Sequence, residues 1–156
     1  MVIRMGMIFS FEREMHATLD LMPFAVRRKL DLAGVKLSLD GWKALPVEDR
    51  RALRDAHVET DAEVVAFAGL LRSAAARAGA SVTPLPDVPA EPPWRTRAVP
   101  APLRARIEEL RAALRDDLWA ALDDEDRYVL FRLAEKKREP ERLLAALREV
   151  PRCAEP

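Results

Sequence analysis

The chain has 156 residues, of which 49% are hydrophobic, 33% charged and 6% aromatic, with only 5 glycines. This composition is typical of one globular domain with an apolar core, and it favours helix over sheet. Basic and acidic residues number 26 each, so the chain lacks the basic excess that is typical of a nucleic-acid-binding protein.

The first helices are predicted from the residues that mark their ends. Ser10 fits the N-cap of a helix that begins at the next residue. Pro23 begins a second helix, which Gly34 ends. The alternating residues 35–39 fit a short extended segment, and Ser38 within them fits the N-cap of the next helix.

Three more helices follow before the middle of the chain. A short helix carries Trp42, and Pro46 begins another. Thr60 and Glu63 have the T-x-x-E spacing of a capping box, which predicts a helix that ends at Gly79. The predicted apolar face of that helix comprises Val64, Phe67, Ala68, Leu71 and Ala75.

A proline-rich connector separates the two halves of the chain. Residues 82–102 hold seven of the 12 prolines, and proline both fixes φ and removes an amide donor, so a regular helix is excluded there. Trp94 lies within this connector. Because an exposed indole leaves much apolar surface in water, we expect Trp94 to be buried and to anchor the connector as a strap.

Helical patterns resume after Pro102. Four apolar residues predict one stripe, Leu103, Ile107, Leu110 and Leu114. Asp123 fits the N-cap of the following helix. Pro140 begins a last helix, which Pro151 is predicted to close.

One phrase occurs twice in this chain. Residues 39–53 read LDGWKALPVEDRRAL, and residues 116–130 read DDLWAALDDEDRYVL. A shift of 77 positions places Trp42 on Trp119 and aligns residues 23–73 with residues 100–150 without a gap, giving 13 identities over 51 positions. Tryptophan and the string EDR are not repeated by compositional bias alone, so we predict an internal repeat.

The predicted fold class is therefore all-α: a helical bundle built from two sequence-related helical halves that are joined by the proline-rich strap. Short helices gain most of their stability from packing, so the halves are predicted to share one core within a single domain, residues 1–156. Trp42 and Trp119 are predicted to be core residues rather than ligand-binding residues.

No motif predicts a catalytic, cofactor or metal site. Glu12 and His16 share a helix face, but a metal site needs three or four ligands, so an ordinary ion pair is favoured. The chain has no glycine-rich phosphate loop and no G-x-S-x-G or H-E-x-x-H motif. We therefore expect a protein that binds a partner and does not catalyse a reaction.

The cellular location is predicted to be the cytoplasm. Cys153 is the only cysteine, which excludes an intramolecular disulfide and fits a reducing compartment. The opening residues lack the apolar segment and small-residue cleavage site of a signal peptide, and no run of about 20 apolar residues could span a membrane.

The stretch at residues 9–45 carries a set of spaced motifs: F-x-F-E, a Leu/Pro segment, V-R-x-K-L-D, G-V-K-L and a tryptophan. The residues are Phe9, Phe11, Glu12, Leu19, Pro23, Val26, Arg27, Lys29, Leu30, Asp31, Gly34, Val35, Lys36, Leu37 and Trp42. In these motifs the chain resembles the bacterial nitrate reductase-associated protein family. A later phrase around Trp119 extends the resemblance over nearly the whole chain.

The chain departs from this family at two positions. Family members commonly carry cysteines before the proline and before the glycine, where this chain has Leu21 and Ala33. A thiol or metal role of those cysteines therefore cannot operate here.

The resemblance implies a non-catalytic accessory or maturation factor, without a cofactor of its own, that binds a molybdenum-dependent assimilatory nitrate reductase. The predicted partner-binding residues are Phe9, Phe11, Glu12, Arg27, Lys29, Asp31 and Lys36. An ordinary role as helix-face charge or core aromatic is the alternative for each of them.

Two other functions are compatible with the sequence. One is a small-molecule or cofactor-binding module, with a pocket between the halves lined by Trp42, Trp94 or Trp119. The other is a structural homodimer without a reductase partner. A homodimer is also compatible with binding to the reductase.

Overall fold

The computed structural model describes residues 9–136 and 140–154, with side chains up to residue 150. These ranges contain nine helices: α1 Ser10–Thr18, α2 Phe24–Ala33, α3 Leu39–Ala44, α4 Val47–Asp55, α5 Asp61–Ala78, α6 Ala101–Glu109, α7 Asp116–Ala121, α8 Asp124–Glu135 and α9 Pro140–Ala154. They also contain two short antiparallel strands, β1 Val35–Leu37 and β2 Val82–Pro84. The predicted all-α class is confirmed, with this small ribbon added.

The chain divides into two compact units. Unit 1 comprises the described residues of Met1–Arg13 and Glu91–Pro156, and unit 2 is Glu14–Ala90. The boundary falls inside α1, and unit 1 is discontinuous in sequence because its first segment precedes the whole of unit 2. The single domain and the internal repeat remain predictions.

Most helix ends lie where their capping residues predict. Gly34 adopts a left-handed φ of 71° and its amide donates to the carbonyls of Asp31 and Leu30, which ends α2 as expected for a glycine C-cap. The capping box of Thr60 and Glu63 is present in both directions at the start of α5. Such caps depend on neighbouring residues only, which is why the sequence predicts them.

Three helix ends differ from the prediction. Ser10 lies inside α1, and its amide donates to Glu149 Oε2 at 3.0 Å, so a distant carboxylate replaces the local N-cap. Helix α6 ends at Glu109, so Leu110 and Leu114 do not continue its apolar stripe. Helix α9 runs past Pro151 to Ala154, because the φ that proline imposes is itself helical and only one backbone hydrogen bond is lost.

The core of unit 2 brings α2, α4 and α5 together with the ribbon. Val35 pairs with Pro84 and Leu37 with Val82, so β2 covers the segment that follows α2. The cluster of buried apolar side chains comprises Leu19, Met22, Val26, Leu30, Val35, Leu37, Trp42, Leu45, Leu53, Val58, Phe67, Leu71 and Ala74.

The strap within unit 1 is anchored by Trp94, as predicted. Its side chain is 4% exposed, its ring meets that of Tyr128 edge-on at 4.8 Å between centroids, and Nε1 donates to Asp124 Oδ1 at 2.9 Å. The neighbouring Arg95 donates to both oxygens of the same carboxylate, at 2.8 and 3.1 Å. The irregular strap is therefore held on α8 by one packed ring and three hydrogen bonds.

The offset of 77 residues found in the sequence also relates structural elements. Helix α3 maps onto α7 at both ends, and the start of α4 maps onto the start of α8. The left-handed Gly34 maps onto Arg111, which has a φ of 54° although it is not a glycine. Equivalent places in the two units thus adopt equivalent backbone conformations.

Candidate partner-binding surface

The repeated tryptophans are buried and hydrogen-bonded inside their own units. Trp42 and Trp119 are both 0% exposed. Trp42 Nε1 donates to the carbonyl of Leu19 and Trp119 Nε1 to the carbonyl of Thr96, each at 2.9 Å. The acceptors are themselves 77 residues apart. The predicted core role of both indoles is confirmed.

The repeated arginine of each phrase binds the end of the short helix that carries the tryptophan. Arg50 Nε donates to the carbonyls of Trp42 at 3.1 Å and Leu45 at 3.0 Å, and Nη2 donates to Lys43 O at 2.6 Å. The guanidinium thus donates to carbonyls at the C-terminal end of this helix, and the carbonyl of Trp42 also accepts from the amide of Leu45. We call this arrangement the Trp–Arg clip of unit 2.

Unit 1 contains the same clip. Arg127 Nε donates to Trp119 O at 3.2 Å and Nη2 to Ala120 O at 2.7 Å. The guanidinium also lies 5.7 Å from the centre of the Trp119 ring, within cation–π range. The conspicuous repeated phrase therefore builds the fold twice and is not itself the candidate site.

The predicted contact residues at the start of the chain lie in unit 1 and are largely covered. Phe9 is 0% and Glu12 1% exposed, whereas Phe11 is half-buried. The Arg142 guanidinium lies 5.3 Å from the centre of the Phe11 ring. Phe9 and Glu12 thus belong to the interior of this unit in the present structure, which is the structural alternative stated for them.

The remaining predicted contact residues lie in unit 2 and divide into two groups. Lys29 is 3% exposed, and its ammonium donates to the last carbonyls of α4, on Leu53 at 3.1 Å and on Arg54. It therefore stabilises the C-terminal end of a helix. Arg27 and Lys36 are exposed and Asp31 is half-buried, so all three contribute to the surface of unit 2.

Exposed apolar side chains are a feature that the sequence patterns missed. Among the described residues, those large hydrophobic side chains that stand out as exposed all lie in unit 2: Leu21, Leu39, Val47, Val65, Leu70 and Val88. Val65 is 72% exposed although it lies within the long helix α5. The sequence does contain apolar residues on both sides of α5. Because a helix that packs on one core needs only one apolar face, the second apolar side indicates an exposed apolar surface.

The perturbed carboxylates lie at helix ends. The backbone amide of Val99 donates to Asp116 at 2.9 Å, and this bond, followed by the one from Arg104, lowers the pKa of Asp116 below its ordinary value. The hydrogen bond from Arg54 likewise lowers the pKa of Asp55. Both shifts favour the charged form of an ordinary ion pair and do not create an acid or base suited to catalysis near neutral pH.

One group of described residues has ligand atoms close enough for a metal ion: His57, Glu59 and Glu63, with all ligand atoms within 4.8 Å of one another. Glu63 already accepts the amide of Thr60 in the capping box, and His57 lies 3.5 Å from Glu59. His57 and Glu59 are exposed. Local capping and pairing account for this group without a metal.

In the described ranges, every helix is either too short or too polar to cross a membrane. Comparison with curated proteins and with solved structures gives no similar protein. Residues 8–150 match the conserved nitrate reductase-associated protein family. The chain belongs to this family. The match covers most of both units and ends at residue 150 within the last helix, so nearly all of the described structure belongs to the family's conserved region.

Proposed function

We propose that this nitrate reductase-associated protein is a non-catalytic accessory or maturation factor that binds the polypeptide of a molybdenum-dependent assimilatory nitrate reductase in the cytoplasm. The match of residues 8–150 to the family supports the proposal, because the family's description states an association with nitrate reductase. Binding to that enzyme is therefore the property to measure.

We place the contact on the exposed charges of unit 2. Arg27 on α2 and Lys36 on β1 are exposed, and Asp31 lies one helical turn after Arg27. Lys29, between them in sequence, is directed to the end of α4 and is left out of the surface. Exposed charges act mainly on association rate and on the salt dependence of binding, so we expect binding to weaken as ionic strength rises.

The experiment is recovery of the reductase with a tagged full-length chain from cells grown on nitrate. The double variant Arg27→Glu with Lys36→Glu should recover clearly less reductase, while its circular dichroism stays unchanged. Lys43→Glu is the matched control, because Lys43 is an exposed cation of the same unit. Equal recovery by the double variant would remove this surface, and absence of reductase from the wild-type sample would contradict the function.

Tryptophan fluorescence separates this proposal from the small-ligand alternative. All three indoles are buried, and each Nε1 already has an acceptor. A ligand that stacked on one of them would have to displace packed groups and would change the emission. We expect no change on titration with nitrate or with molybdopterin precursors.

A further inference from the structure

The exposed face of α5 has the composition of a helix interface. Six of its residues are apolar or glycine, namely Ala62, Val65, Ala66, Gly69, Leu70 and Ala76, and all six are exposed, as are Arg72 and Ser73 beside them. At about 100° per residue they lie within about 100° of Gly69 around the helix, opposite the buried Phe67, Leu71 and Ala74. We call these six residues the Gly69 face.

We propose that the Gly69 face binds the same face of a second copy of this chain, with the two α5 helices antiparallel. In a two-fold interface, residues at equal distances on either side of the axis contact each other, so they must be compatible in size and charge. With the axis at Gly69, Ala62 of one copy lies level with Ala76 of the other. Small residues therefore meet at the axis and at this pair, whereas Val65 lies level with Ser73 and Ala66 with Arg72.

The charges on α5 are arranged for the antiparallel direction. The exposed Asp61 lies at the start of the helix, and the exposed Arg72 and Arg77 lie towards its end. Arg77 also contacts Asp49 at 3.3 Å but keeps 61% of its side chain exposed. Antiparallel pairing brings the acidic end of each helix against the basic end of the other, whereas parallel pairing would place like charges together.

Gly69 itself is explained by close approach of a second helix. A glycine inside a helix lowers its stability by about 0.5–1 kcal/mol relative to alanine. Among the described residues, a Cβ at Gly69 would meet no heavy atom within 4 Å, so their packing does not require this glycine. A second helix at the short end of the usual interaxial distance, about 8 Å, does require it.

The first test is self-association of the full-length chain by sedimentation over protein concentrations from about 1 µM to about 1 mM, because a single helix pair is a small interface. Wild type should shift from monomer to dimer within this range. Gly69→Gln should raise the unfolding midpoint, since glutamine is the better helix former, and raise the dissociation constant by about tenfold or more.

Charge reversal provides the matched comparison. Arg72→Glu and Asp61→Arg should each weaken the dimer, and the double variant should restore it, because the two residues approach each other across the axis. Arg97→Glu, an exposed change of equal charge in the strap, should leave the dimer unchanged. The proposal would be overturned if wild type stays monomeric at every concentration, or if no α5 variant changes the dissociation constant of the dimer.

Cross-linking in a Cys153→Ser background tests the direction of the helices. Gly69→Cys lies on the axis and should form a disulfide with its own copy. Ala76→Cys should not, because seven residues at about 1.5 Å each place the two copies about 21 Å apart, beyond disulfide reach. A mixture of Ala62→Cys and Ala76→Cys chains should cross-link. Equal self-cross-linking at residues 69 and 76 would contradict the antiparallel arrangement.

Discussion

Lys29 shows that a charged residue in a motif can serve the interior of a protein. It lies in the V-R-x-K-L-D stretch two residues after the exposed Arg27, and its charge predicts a surface position. The structure instead directs the ammonium to the carbonyls of Leu53 and Arg54, where a helix ends. Sequence periodicity cannot reveal this, because the acceptors are backbone atoms more than twenty residues away.

Replacing Lys29 should therefore affect stability before it affects binding. Lys29→Met keeps much of the buried stem but leaves two covered carbonyls without this donor, so the free energy of unfolding should fall by about 1–3 kcal/mol. Urea denaturation measures the change. Lys36→Met, an exposed lysine on β1, should stay within about 0.5 kcal/mol of wild type, and equal losses would contradict the assigned role.

Asp116 gives a pH-dependent prediction at the same scale. The amide of Val99 and the guanidinium of Arg104 lower its pKa in the folded state, so its charge stabilises the fold above the ordinary value of 3.8 and this contribution is lost as the pH falls through the lower folded pKa. The stability difference between wild type and Asp116→Asn should therefore shrink below about pH 4. Urea titrations at neutral and acidic pH measure it, and a constant difference would refute the prediction.

At the scale of elements, the Trp–Arg clips explain why the same phrase occurs in both units. Each arginine lies near the start of the helix that follows the short helix, and it donates to carbonyls at the C-terminal end of that short helix. We propose that residues 23–73 and 100–150 are two copies of one folding unit. The shared offset of 77 in helix bounds, indole acceptors and arginine acceptors supports this proposal.

Removing the guanidinium from either clip should destabilise the unit that contains it. Arg50→Met is expected to cost more than Arg127→Met, because Arg50 also donates to the carbonyl of Leu19 at 3.3 Å. Losses of about 1.5–3 kcal/mol are expected, because each guanidinium is a charged donor of several hydrogen bonds. Chemical denaturation provides the measurement. The exposed Arg51 is the control for Arg50, and a comparable loss in Arg51→Met would show that the clip is not the cause.

The elements also show which parts of the fold the sequence can predict. Caps such as Ser38, the box of Thr60 and Glu63, and Asp123 depend on residues three positions away, and all three are present. The cap of α1 could not be predicted because Glu149 lies 139 residues from Ser10. For the candidate site the sequence identified exposed Arg27 and Lys36, but it could not separate them from buried Phe9, Glu12 and Lys29.

At the scale of the whole molecule, Phe9 tests whether the chain is the single domain that the sequence predicts. Phe9→Ala removes a fully buried ring from unit 1, at an expected cost of about 3–5 kcal/mol. Amide hydrogen exchange should then accelerate in α9. In a single cooperative domain the amides of α5 in unit 2 should lose protection as well, whereas unchanged exchange in α5 would mean that the units unfold independently.

The hydrogen bond from Ser10 to Glu149 has a consequence for synthesis on the ribosome. Unit 2 is continuous in sequence, so all of its residues are available once residue 90 has been made. The segment that contains Phe9, Ser10 and Phe11 cannot pack in place until most of α9 has been made. Glu149, which accepts the hydrogen bond from the amide of Ser10, lies 139 residues later in the chain. Phe9 and Phe11 are thus among the last of the described residues to pack, and until α9 has been made they are accessible to chaperones.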